Sequence, residues 1–399
     1  MKKFGILACL ILAIPNISPV QASALDPLNV AATFERLTSG SALANPSVIV
    51  IDELTGEVVF EKSAYSPRKP ASVIKLYSAA AALTYLDPTQ KFTTSSWIGV
   101  RKKSIVIQGS LDPWISLSDV QAKKMGRTSL PRIEYNSLSA LKEVNPGSIR
   151  YSTIYYSDLY SQDVANLKKF FIKKGVSPIM KRVTSEEAQL LSSEQILSSD
   201  SPELQEILAF TLTWSDNLLS ERIARLASQA AGHALNDQGV AETFAELLEG
   251  LGIESKGLLI KDASGLSNEN RVTAMQVGRL LMKIRSDSRF APLIGGLPVG
   301  GLTGTLRHRF IDTAPQAIGL VKAKTGTLNG TANLAGYVEA GDREYVFVII
   351  ADRLKTSSRA EKFARATVDR ILGKIAAPLL PVFPTQPAEV VTEVVVTAS

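Results

Sequence analysis

Pro70-Ala71-Ser72-Val73-Ile74-Lys75-Leu76-Tyr77-Ser78-Ala79-Ala80-Ala81-Ala82-Leu83 sets a serine two places after a proline, a lysine three places on, and an alanine-rich apolar run after both. The run predicts a buried helix over 72–86. In its first turn, positions i and i+3 share a face, so Lys75 can reach the Ser72 hydroxyl. The positive end of the helix dipole lies beside that oxygen. Both features favour attack of the serine on a carbonyl. An N-cap serine followed by a surface lysine fits the same spacing, and Ser-x-x-Lys recurs at Ser66/Lys69 and Ser139/Lys142. Only Ser72 stands between a proline and a long apolar helix.

Working outward, residues 26–37 predict a helix. Residues 47–51 and 57–61 predict a hairpin closed by a turn at 52–56. Further helices are expected over 202–211, 216–230, 239–251 and 273–286, the last opened by a Thr273/Gln276 capping box. Strands are expected over 332–339 and 344–351, and a closing helix over 359–374. Strands at both ends of the chain with helices between them argue an α+β class, one antiparallel sheet assembled from both termini and covered by helices.

Charge divides the 399-residue chain. Residues 91–182 carry 16 Lys and Arg against 6 Asp and Glu, within a total formal charge of +6. So abrupt a change predicts a basic accessory domain over 91–200, inserted into a body formed by 25–90 and 201–375. Within it, 104–108 reads as a strand and 164–174 as an amphipathic helix. The basic surface reads either as a solvated face or as a docking face for anionic wall polymer or acidic peptides. With Tyr135, Tyr151, Tyr155, Tyr156 and Tyr160 it also has the composition of a nucleic-acid binder, a partner that an exported protein rarely meets. Residues 376–399, rich in proline, are expected to be a flexible tail.

Residues 1–24 read as a signal peptide: Lys2-Lys3, an apolar run, then Ala22-Ser23-Ala24. An uncleaved N-terminal anchor is the alternative. No other stretch approaches the ~20 apolar residues of a spanning helix. The expected location is across the cytoplasmic membrane, in the periplasm or cell-wall space. The single cysteine, Cys9, falls in the segment expected to be removed, which leaves no thiol for a disulfide scaffold, a zinc-thiolate site or a cysteine nucleophile. No metal and no cofactor are expected. Of the two histidines, His308 lies between two arginines and His233 follows a helix end, and neither reads as a catalytic base.

Two more motifs follow the first. Ser215-Asp216-Asn217 puts a hydroxyl and an amide two residues apart in a loop, although Ser and Asp are also ordinary N-caps. Lys324-Thr325-Gly326-Thr327 sets a cation, hydroxyls and a glycine along an edge strand. This suits an anionic ligand, with the glycine admitting a substrate backbone. A polar turn fits it too. In this order the three motifs form the signature of penicillin-recognising serine acyltransferases.

The chain resembles the D-alanyl-D-alanine carboxypeptidase/endopeptidase family, the class C low-molecular-mass penicillin-binding proteins. Beyond the three motifs, the resemblance rests on Thr55-Gly-Glu-Val-Val59, Gly109-Ser-Leu-Asp-Pro113, Lys261-Asp-Ala-Ser-Gly-Leu-Ser267, Asn270-Arg-Val-Thr-Ala274 and Leu297-Pro-Val-Gly-Gly301. It covers most of 45–90 and 200–375 and is faint over 115–160. The insert is shorter than usual for the family. The resemblance implies a β-lactamase/transpeptidase-like fold and an exported serine D-Ala-D-Ala carboxypeptidase, with endopeptidase action on cross-links as a further option. Peptidoglycan stem peptides would be substrates and β-lactams inhibitors.

It further implies Ser72 as nucleophile, Lys75 as proton acceptor and Ser215 as relay. Asn217 would hold the substrate amide. Lys324, Thr325 and Thr327 would bind the terminal carboxylate, with Gly326 beside them. The Asp262-Ala-Ser-Gly265 turn is expected to brace the site from behind. Class A β-lactamases deacylate with the glutamate of Glu-x-x-Leu-Asn. The nearest match here, Gly232-His-Ala-Leu-Asn236, lacks the acid, so slow release of penicillin is expected. A β-lactamase or esterase on the same scaffold, or a silent wall-binding protein, are the alternatives.

Overall fold

The computed structural model describes residues 26–379. The expected signal peptide (1–24), with Cys9, lies outside these residues, as does most of the expected tail. The tail's first residues are described, and they are not loose. The Ala377 N–H donates to the Glu339 carbonyl at 2.9 Å, and Ala377 bridges Ala340.

Among the described residues, ten strands form two five-stranded sheets. The first contains β1 (Ser47–Asp52), β2 (Val58–Lys62), β8 (Val321–Gly326), β9 (Asn333–Glu339) and β10 (Glu344–Ile350). Its order is β2-β1-β10-β9-β8, and every neighbouring pair is antiparallel. The two strands nearest the N-terminus thus pair with three from the C-terminal third. The chain is α+β, as its strand distribution predicts.

Both faces of this sheet are buried, which explains the continuous apolar runs of β1 and β10. Side chains alternate across a strand, and the two cores follow that period. Ile49, Ile51, Val346, Val348 and Ile350 join the helices Lys75–Tyr85, Leu204–Trp214, Asn217–Ala230, Asp237–Gly250 and Ala274–Ser286 on one face. Val48, Val50, Tyr345, Phe347 and Ile349 face the helices Pro27–Thr38 and Ser358–Gly373 on the other. The Thr273/Gln276 capping box forms as expected. Within the same helix, Gly278 lies so close to β1 that a Cβ there would stand 2.8 Å from Ile49 Cγ2.

The Ser72 segment departs from expectation at its start. Ala71–Ile74 is a 3₁₀ turn, and the α-helix begins at Lys75. Ala71 has φ 47°, in the left-handed region, where a non-glycine residue costs roughly 1–3 kcal/mol. The helix behind it is buried from Lys75 to Leu83, because four successive alanines let the helix Asn217–Ala230 approach closely.

Residues 93–200 form the second sheet: β3 (Thr93–Gly99), β4 (Ser104–Gln108), β5 (Thr153–Ser157), β6 (Ile179–Arg182) and β7 (Ser192–Asp200) in the order β6-β5-β4-β3-β7. The sequence reading anticipates only β4 and one helix here. β4, β5 and β6 are parallel, joined through the helices Leu130–Glu143 and Ser161–Lys173, while β3 pairs antiparallel with β4 and β7. Tyr155 and Tyr160 are buried, so the five tyrosines do not make one exposed face. No described helix is long and apolar enough to cross a membrane.

Gly278→Val would overfill the contact with Ile49 and is expected to lower stability by about 1–3 kcal/mol. Chemical denaturation monitored by circular dichroism checks this, and an unchanged midpoint would contradict the packing described.

Candidate active site

Ser72, Ser215, Asn217, Thr325 and Thr327 line one cleft of about 470 Å³, together with Gly265, Leu266, Thr305, His308, Arg309, Leu328 and Arg365. Behind them, Lys75 and Lys324 are fully buried. Three motifs spread over more than two hundred residues of sequence therefore meet at one place.

Lys75 Nζ lies 3.0 Å from Ser72 Oγ and donates to Asn217 Oδ1 at 2.8 Å; it also donates to the Ser264 carbonyl. Ser72 Oγ donates to that same carbonyl at 3.3 Å. Burial lowers the Lys75 pKa to about 8, against the opposing pull of Glu221, Asp262 and Asp216. Lys75 can thus hold or take up a proton near neutral pH.

Lys324 stands on the edge strand β8. Its Nζ donates to Ser215 Oγ at 2.9 Å and to the Thr325 carbonyl at 3.2 Å. Burial, reinforced by the positive charge of Lys75, pushes its pKa well below the usual lysine value. Ser215 joins two helices. It ends Leu204–Trp214 with φ 59°, and Asp216 caps Asn217–Ala230 by accepting from the Leu219 N–H at 3.0 Å. The capping and the cleft-facing readings of this motif both hold, on neighbouring residues.

Gly326 has a packing reason of its own. A Cβ there would fall 2.5 Å from the Pro70 carbonyl oxygen and 3.1 Å from Val73 Cγ2. The glycine lets β8 close onto the turn that carries Ser72. Gly265, at φ 86°, does the same from the other side, where a Cβ would lie 2.0 Å from the Ala71 carbonyl oxygen. Asn333, paired with Gly326 in the sheet, donates through Nδ2 to the Lys69 and Pro70 carbonyls at 2.9 and 3.0 Å. Close packing on three sides is what holds Ala71 in its costly conformation.

The Asp262–Gly265 turn supports the site from behind, as its sequence suggests. Asp262 accepts from the N–H groups of Ser264 (3.1 Å), Gly265 (2.6 Å) and Ser267 (2.5 Å), and from Asn270 Nδ2 (3.1 Å). Glu221, which no motif signals, accepts from the N–H groups of Ala263 and Ser264 at 3.0 and 2.9 Å. Together they aim the Ser264 carbonyl at Lys75. Thr305, His308 and Arg365 in the cleft wall also went unsignalled as site residues, because distant loops bring them there. His308 Nε2 accepts from Arg307 Nε at 2.9 Å. His233 pairs with Glu246 at 2.7 Å and is not among the cleft residues.

A serine hydroxyl in contact with one buried lysine, beside a second buried lysine on a sheet edge, is an arrangement suited to serine-type acyl transfer. A family model described as D-Ala-D-Ala carboxypeptidase 3 (S13) matches residues 30–130 and 152–375, and the chain belongs to that family. It is a serine-type D-Ala-D-Ala carboxypeptidase. Carboxypeptidase DacB of Mycolicibacterium smegmatis is 28% identical over 413 residues, covering 90% of this chain and 88% of the relative. The fold is similar to that of penicillin binding protein 4 (dacB) from Haemophilus influenzae: TM-score 0.63, 15% identity, over 87% of this chain and 98% of that one. A penicillin G-acylated predatory endopeptidase from Bdellovibrio bacteriovorus, in complex with an immunity protein, gives a TM-score of 0.54 at 15% identity over 86% and 95%.

Asp262→Ala removes the acceptor of the Gly265 and Ser267 N–H groups, the Ser264 hydroxyl and Asn270 Nδ2, while the Ser264 N–H keeps Glu221, and is expected to lower stability by roughly 2–4 kcal/mol. Thermal unfolding measures this, and a loss within ±0.5 kcal/mol would mean that the turn is held by something else.

Proposed function

We propose that this enzyme is exported to the periplasm or cell-wall space and removes the terminal D-alanine of peptidoglycan stem peptides through a Ser72 acyl-enzyme. The 3.0 Å contact between Lys75 Nζ and Ser72 Oγ in the shared cleft carries the reading. The body, residues 25–90 and 201–375, would do the chemistry, with 91–200 as an accessory unit. Export rests on the basic start, apolar run and Ala22-Ser23-Ala24.

Ser72 Oγ attacks the carbonyl of the penultimate D-alanine while its proton passes to neutral Lys75. The backbone N–H groups of Ser72 and Thr327 receive the developing oxyanion. Asn217 holds the substrate amide. The C–N bond then breaks, and the leaving amine takes a proton returned through Ser215. Lys324, with the Thr325 and Thr327 hydroxyls, binds the terminal carboxylate. That negative charge favours the charged lysine, which burial otherwise disfavours. D-alanine leaves, and water cleaves the ester to free the acid and Ser72.

β-Lactams would acylate Ser72 and leave slowly. The cleft lining contains no aspartate or glutamate to activate water, and residues 232–236 lie between two helices, not among the lining residues. Endopeptidase action on cross-links is a second reading, favoured by a cleft that is open at its surface and by the name of the Bdellovibrio structure.

Fluorescent penicillin is expected to label the wild type and not Ser72→Ala, and the wild type is expected to release D-alanine from a pentapeptide. Label retained in Ser72→Ala, or rapid turnover of benzylpenicillin, would overturn the assignment. Lys75 must be neutral to accept the proton. Acylation should therefore rise with pH and level off above about 8, and a rate that falls across that range would remove Lys75 from the role.

A further inference from the structure

The Gly109–Pro113 segment, part of the family resemblance, has no task in the chemistry above. It leads to contacts with the two helices that meet at Ser215. Asp112 is fully buried and accepts from the Trp114 N–H at 2.7 Å. The Trp114 ring meets Phe210 edge-on, 5.2 Å between centroids, in the helix Leu204–Trp214 that ends at Ser215. The Arg127 guanidinium lies over the Trp114 ring, 4.7 Å from its centroid.

Arg127 is held on three sides. Its Nε donates to the Trp114 carbonyl at 3.0 Å and its Nη2 to the Ile115 carbonyl at 3.4 Å, and the side chain is only 7% exposed. Nη1 is directed at Asp216, 3.7 Å from Oδ2. The other Asp216 oxygen, Oδ1, caps the helix. Most of the ordering cost of an exposed ion pair is thus met by the insert's own packing, which separates this pair from an ordinary surface contact. A second tie lies further along the same helix. Arg222 pairs with Asp163 at 2.6 Å, both buried, and the Tyr160 hydroxyl donates to the Arg222 carbonyl at 3.2 Å.

We propose that Arg127, a residue of the insert, is a positioning residue for the cleft: by holding Asp216 it sets the placement of Ser215 and Asn217 and the charge balance at Lys75. The inference rests on the acyl-enzyme reading above. Lys75 is faced by Asp216, Glu221 and Asp262, which favour its charged form, and by Lys324 on β8. Arg127 is itself faced by Asp216, Asp112 and Arg222. Removing the guanidinium exposes Lys75 to an uncompensated Asp216 carboxylate and raises its pKa. Asp216→Asn removes that carboxylate and lowers it, while asparagine still caps the helix.

The test uses the full chain, with Arg127→Gln, Asp216→Asn and the double variant. In Arg127→Gln the pH of half-maximal acylation by fluorescent penicillin is expected to move up, and the rate at pH 7 to fall roughly 3- to 10-fold. In Asp216→Asn the half-maximal pH moves down, and the double variant falls between. Carbon-13 NMR titration of the Lys75 side chain reads the same displacements without turnover. A wild type that fails to acylate therefore defeats the functional reading while the Lys75 titration still decides this one. Shifts of the same sign in both single variants, or a Lys75 titration unmoved by either, would overturn the proposal. If Arg127→Gln does not fold, Arg127→Lys is expected to keep the Lys75 titration near wild type and slow acylation; wild-type acylation in that variant would overturn the positioning role.

Discussion

Two lysines held out of water control this structure. An ammonium group loses much of its hydration on burial, and here two are buried within each other's electrostatic reach. Neither forms a direct ion pair with a carboxylate. Lys75 is bonded instead to a hydroxyl, an amide oxygen and a backbone carbonyl, and Lys324 to a hydroxyl and a carbonyl. The compensating carboxylates stand one layer back. Asp262 and Glu221 accept from the Ser264 N–H, in the residue whose carbonyl meets Lys75, and Asp216 caps the adjoining helix. This arrangement keeps a lysine able to exchange a proton near neutral pH. A carboxylate in direct contact would hold it charged.

The fold meets this electrostatic demand through close backbone approach. The turn that carries Ser72 is pressed by β8 at Gly326, by the 262–265 turn at Gly265 and by the Asn333 amide. These contacts surround Ala71, held in a left-handed conformation that isolated alanine avoids; Ser215 adopts the same region where two helices join. Their strain is sustained by an all-antiparallel sheet buried on both faces. Its rigid edge strand places Lys324 opposite Ser215 without help from a mobile loop.

The insert is tied to this machinery more closely than its charge suggests. The net positive charge of 91–182 describes its surface, but its contacts with the body are made by buried groups: Trp114 on Phe210, Arg127 on Asp216 and Asp163 on Arg222. The two ion pairs reach the helix that carries Asn217. A unit that looks separable in composition thus shares its electrostatics with the cleft.

Much of the body was legible because its periodicities are strong. The apolar runs of β1 and β10, the Thr273 capping box and the alanine helix declare themselves locally, and the order of Ser72, Lys75, Ser215, Asn217 and Lys324 carries the family likeness. The insert's sheet was not legible, since short strands such as 179–182 have no alternation of their own and take their register from neighbours. The sequence by itself determined which side chains are available and which segments of the body are helix or strand, because those depend on local spacing. Only the tertiary structure decided that Gly326 packs against the turn that carries Ser72, that Glu221 and the Ser264 carbonyl support Lys75, and that Arg127 meets Asp216. These depend on approaches of a few ångströms between segments far apart along the chain, which no local pattern encodes.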